Sequence, residues 1–66
     1  MAWNREGSTV LADYLGVMVE GVVVESRVKY GGRVGHTIVL AEPALVPGGR
    51  VADRLLIEEA DILEVL

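Results

Sequence analysis

The sequence predicts a mainly all-β fold: a small five-stranded antiparallel barrel with a short N-terminal helix. Three observations carry this expectation. The stretch from Val17 to Leu40 is dominated by β-branched and aliphatic residues, which fit a pleated, half-buried surface. Gly31-Gly32 interrupts that stretch where a hairpin would turn. A second aliphatic block, Leu55-Leu56-Ile57 followed by Ile62-Leu63-Glu64-Val65-Leu66, supplies the material of closing strands.

Taken in order, residues 1–7 are polar and read as a flexible N-terminus in which Trp3 is available to dock on a neighbour, and residues 8–66 read as one small β-barrel domain. Ser8 and Thr9 are N-cap residue types, Val10/Tyr14 and Leu11/Leu15 repeat at i, i+4, and Gly16 suits a left-handed stop, so a helix is expected over 9–15. Val17-Met18-Val19 opens the sheet. Gly21 falls where a strand would bend or bulge before Val22-Val23-Val24. From Val24 onward, Val24, Ser26, Val28 and Tyr30 alternate with Glu25, Arg27 and Lys29, as in a half-solvated strand. After the Gly31-Gly32 turn, the return strand sets Val34, His36, Ile38 and Leu40 on one face and Gly35, Thr37, Val39 and Ala41 on the other. Glu42 to Arg50 is bounded by Pro43 and Pro47 and reads as a loop, with Leu45-Val46 too apolar to be idle in water. Val51 to Ile57 is the next strand, Glu58 to Asp61 a turn or a single 3₁₀ turn, and Ile62 to Leu66 the closing strand.

Composition narrows the class of protein. A chain of 66 residues hides only about 60% of the surface its unfolded form exposes. It has no cysteine, one histidine and 52% hydrophobic residues, so disulfides and cysteine-based zinc sites are excluded and association with other subunits is the stabiliser left over. No apolar run reaches the roughly 18 residues of a membrane span, and Met1 to Glu6 does not resemble a signal peptide. A soluble protein is expected, in the cytoplasm or in a viral particle. The net charge is −4, and residues 34–66 hold two basic groups against six acidic ones. That balance argues against nonspecific nucleic-acid binding as the main role.

The helix followed by five bent strands resembles the Sm-like fold and, more broadly, the SH3-like small barrels. Gly35-His36-Thr37-Ile38-Val39-Leu40 stands where Sm proteins carry their first signature, and its aliphatic run matches, with Thr37 in place of the base-contacting Asn. Ile57-Glu58-Glu59-Ala60-Asp61-Ile62 stands at the second, keeping the apolar frame but replacing Arg-Gly by Glu-Glu. The resemblance implies a ring of subunits, while these departures count against uridine-type RNA recognition.

Candidate sites are few. His36 has no serine or acid at a triad-like sequence spacing, so catalysis has no local support and no catalytic residue is assigned, although a cross-strand acid stays open. Gly31-Gly32-Arg33-Val34-Gly35 joins two strands and lacks a following Gly-Lys-Ser/Thr, which makes it a turn and not a phosphate cradle. Glu58, Glu59 and Asp61 lack the alternating ligands of a Ca²⁺ loop; a solvated acidic turn, or a docking face for a basic protein, fits them better, and no metal or cofactor is expected. Arg27, Lys29, Tyr30, Arg33 and His36 form the candidate surface for single-stranded RNA, because they combine cations with a ring on which a base can stack. Charges that keep an outer strand from aggregating are the competing reading. Leu45, Val46, Leu63, Val65 and Leu66 are the candidate oligomer interface. The sequence as a whole points to a non-catalytic module that self-associates into a homo-oligomer, with an Sm-like RNA-binding ring as the alternative.

Overall fold

The computed structural model describes residues 4–66, so the Trp3 expectation lies outside the described residues. Five strands follow one another: β1 (Thr9–Tyr14), β2 (Val17–Val28), β3 (Val34–Val46), β4 (Arg50–Glu58) and β5 (Ile62–Val65), with a 3₁₀ turn, η1 (Glu59–Asp61), between the last two. They make one antiparallel sheet in the order β4-β3-β2-β1-β5.

Two expectations are corrected. The segment expected as a helix is β1. Its i, i+4 pairs are real, but so is a period of two, which buries Val10 and Ala12 and leaves Asp13 exposed. Seven residues are too few for a helix to hold without strong packing, whereas as a strand they gain ladders on both sides, to β2 and to β5. Leu15 and Gly16, the expected helix stop, form instead a two-residue hairpin loop closed by Tyr14 opposite Val17. Both have positive φ, 51° and 89°, as a type I′ turn requires, and the Gly16 N–H donates to Asp13 Oδ1 at 2.8 Å.

The second correction concerns closure: the sheet is not a closed barrel, and β4 and β5 are its two edges. It is nevertheless curled. In a flat sheet, four inter-strand steps of about 4.8 Å would hold the edges about 19 Å apart. Here the edges are joined by only the three residues of η1, a turn that rises about 2 Å per residue. The sheet therefore bends until its edges approach at this end, and β1 comes to lie against β4 across the interior. At the other end the edges stay apart. There β3 continues through Glu42–Val46, a segment whose sequence reads as a loop, and pairs Ala44–Val46 with Ala52–Arg50 after a register break that follows Val39 opposite Arg54. Pro43 sits inside that break, where no ladder N–H is asked of it. β5, four residues long, has no counterpart to this extension.

One face of the curled sheet makes the core: Val10 and Ala12 from β1, Val19 and Val23 from β2, Ile38, Leu40 and Val46 from β3, Leu55 and Ile57 from β4. Gly21 lies between Val10 and Leu40 in the ladders, and the register break in β2 falls after Val23 and not at the glycine. Its place is fixed by space, since a Cβ there would stand 2.5 Å from the Val39 carbonyl oxygen.

Candidate functional site

The inward face of the sheet ends in a polar chain. Ser26 on β2 and His36 on β3 are direct cross-strand partners, and both are buried, His36 completely. Ser26 Oγ lies 2.8 Å from His36 Nδ1, and His36 Nε2 lies 2.7 Å from Glu59 Oε1 at the start of η1. The Arg5 guanidinium grips the same carboxylate, Nη2 donating to Oε2 at 2.7 Å and Nε to Oε1 at 3.0 Å. The chain returns on itself because the Arg5 backbone N–H donates to Ser26 Oγ at 3.0 Å. The bonds among Ser26, His36 and Glu59 are both made when Ser26 O–H donates to Nδ1 and Nε2–H donates to Glu59. A proton on both ring nitrogens would leave the serine hydroxyl without an acceptor.

Electrostatics follow from the contacts. Hydrogen bonds from the Arg5 guanidinium, opposed by partial burial and aided by His36, hold the Glu59 carboxyl down at about 2. Glu59 in turn raises the Arg5 guanidinium above its ordinary value. Residues 5–8 are hydrogen-bonded to the sheet and to η1. The Ser26 N–H donates to the Glu6 carboxylate at 3.0 Å, Gly7 N–H to Val23 O at 2.8 Å, and Val23 N–H to Ser8 O at 2.8 Å.

Serine, imidazole and carboxylate in series are the parts of a nucleophilic relay, and here they also form a brace that links β2, β3, η1 and Arg5. Ser26 Oγ is engaged by both Nδ1 and the Arg5 N–H, and an attacking hydroxyl needs a site beside it for the reacting atom. A groove of about 750 Å³ crosses β2, β3 and β4, and another of about 410 Å³ lies near Met18 and Pro43; Ser26, His36 and Glu59 line neither.

The candidate RNA surface divides. His36 is withdrawn into the brace. Arg27 pairs with Glu25 at 3.2 Å and Lys29 with Glu58 at 3.5 Å. Tyr30 is fully exposed and Arg33 exposed, at the Gly31-Gly32 turn, which forms as expected with both glycines at positive φ. Two of the three acids of the turn are engaged internally, Glu58 with Lys29 and Glu59 with Arg5 and His36, while Asp61 is exposed. Among the described residues no three His, Asp or Glu side chains gather into a metal-binding group.

The candidate interface divides too. Strand alternation turns Leu45 outward and Val46 into the core, so Val46 has no surface to offer. Leu63, Val65 and Leu66 are exposed along β5, and sequence reasoning passed over Val51 and Leu56, exposed along β4. Arg50 and Arg54 beside them form no ion pair among the described residues. The period-two pattern of Val51 to Ile57 was the available signal, since it places Leu55 and Ile57 inward and leaves Leu56 out. The chain matches no family model, no curated protein and no solved structure.

Proposed function

We propose that this chain is a non-catalytic interaction module that self-associates into a closed homo-oligomer through its edge strands, as a structural or scaffold component. One observation carries the reading: the order β4-β3-β2-β1-β5 leaves two strand edges unpaired, and both carry exposed aliphatic side chains, Val51 and Leu56 on one, Leu63 and Val65 on the other. Unpaired edges template pairing with another chain unless they are blunted. Two different edges on one molecule join head to tail, which closes into a ring when the rotation permits. The five bent strands also support the Sm-like resemblance.

The test is native mass by light scattering on a sizing column across a dilution series. A discrete assembly of about five to seven copies is expected; a dispersed monomer at every concentration overturns the reading. A proline at Val65 sharpens it. Leu66 N–H donates to Thr9 O, so alternation turns the Val65 N–H away from β1. Val65→Pro removes an outward donor without breaking the β1 ladder and is expected to reduce the assembly to monomer.

A second reading, an Sm-like ring that binds single-stranded RNA, is supported by the bare Tyr30 ring between Lys29 and Arg33. It requires salt-sensitive RNA binding that weakens when Arg27 and Arg33 become Ala. No binding at low salt removes it.

A further inference from the structure

The two edges differ in charge. The groove of about 750 Å³ that crosses β2, β3 and β4 takes in Arg50, Arg54 and Leu56 of β4 together with Glu25, Arg27 and Lys29 of β2. The other edge, β5, presents Glu64 among its aliphatic residues and has no basic group. The register shows that Arg54 and Glu64 share one face of the sheet. Arg54 lies opposite Val39, Val39 opposite Val22, and Val22 opposite Thr9. Two residues further along β1 and on the same face, Leu11 lies opposite Glu64. Both charges are exposed, on the outer face, at opposite edges.

We propose that β5 of a second copy adds to β4 in the antiparallel register that sets Glu64 across from Arg54, so that assembly is electrostatically keyed to run head to tail. This rests on the edge-pairing reading above. The register lays residues 62–66 against residues 52–56, with the exposed Leu63 and Leu56 at neighbouring positions across the junction. Opposite charges facing across strands stabilise a pair, and like charges oppose it. Pairing β5 with β5 about its one charge sets Glu64 near Glu64, whereas β4 carries Asp53 and Glu58 along with Arg50 and Arg54. The charge of β5 thus discourages the two-fold dimer built on that edge.

The test compares the wild-type chain with Arg54→Glu, Glu64→Arg and the double variant, each by light scattering across a dilution series, with circular dichroism to verify that these surface changes leave the fold intact. Each single reversal sets like charges across the junction and is expected to raise the concentration at which the assembly dissociates by roughly ten-fold or more. The double variant restores the junction with its signs exchanged. Mixing the two single variants is expected to regenerate assemblies of alternating composition. At one junction the carboxylate introduced by Arg54→Glu meets the guanidinium introduced by Glu64→Arg, and at the next the unaltered Arg54 of one variant meets the unaltered Glu64 of the other. A wild-type monomer overturns the edge-pairing reading together with this one. A wild-type oligomer that tolerates both single reversals, or whose reversals are not rescued by mixing, leaves edge pairing standing and overturns the keyed register.

Discussion

Ile38 and His36 stand two residues apart on β3, both wholly buried and both facing the interior, yet they are held there by different physics. Ile38 belongs to an aliphatic cluster whose attraction has no direction and falls off smoothly as atoms are removed. His36 belongs to a closed chain of hydrogen bonds in which each group depends on the next, and a partner lost inside a protein leaves another group stranded. The aliphatic part supplies most of the stability; the polar part decides where residues 5–8 and η1 are fixed.

That contrast can be broken from the aliphatic side first, with the largest effect. Ile38→Ala should cost about 3–4 kcal/mol and Ile38→Val about 1 kcal/mol, a graded series read by urea denaturation. A domain this small has about 3–5 kcal/mol to lose, so Ile38→Ala is expected to be largely unfolded, and a small shift in midpoint would contradict the placement of the core.

The polar part should respond in steps and not by degrees. His36→Ala strands the Ser26 hydroxyl and is expected to cost about 2–3 kcal/mol. Replacing Ser26 and His36 together by Ala should cost less than the sum of the two single losses, because either change alone already breaks the chain that they share with the Arg5 N–H. Additive losses in the denaturation midpoints would show that the brace is not a unit.

The smallest effect, and the most specific, is the pH dependence of the brace. Glu59 titrates at about 2 in the folded chain, below its usual 4.5, so its contribution is present above about pH 4.5 and is lost as pH falls toward 2. Both Arg5 and Glu59 are partly solvated, and screening limits the pair to about 1 kcal/mol or less. Arg5→Ala should remove that amount at pH 7 and flatten the fall in melting temperature between pH 4.5 and 2. An unchanged acid limb would place the carboxylate's stabilisation elsewhere.

What the sequence disclosed follows the same division. The return strand, the glycine turn, the 3₁₀ turn and the closing strand are written in local pattern, because alternation and turn chemistry act over a few residues. β1 is ambiguous in sequence, since Val10, Ala12 and Tyr14 satisfy a period of two while Val10/Tyr14 and Leu11/Leu15 satisfy i, i+4; the ladders to β2 and β5 decide between them. Pro43 hides the extension of β3, because the register break that accommodates it is a property of two strands together. The brace is least legible: its members are separated by 10, 23 and 54 residues. A single clue is local, the polar Ser26 on the apolar side of an otherwise aliphatic alternation.

The strand order also sets a sequence of events in time. β1 to β4 form a meander in which each strand pairs with its chain neighbour, whereas β5 must return to β1 across nearly the whole chain. Long-range closure loses more chain entropy and slows folding. The short β5 is therefore expected to be the last strand to zip up and the first to peel away, and in the interval the edge of β1 stands open to the same strand from another copy. Strand exchange is thus a kinetic hazard built into the order of the sheet, one that grows with concentration.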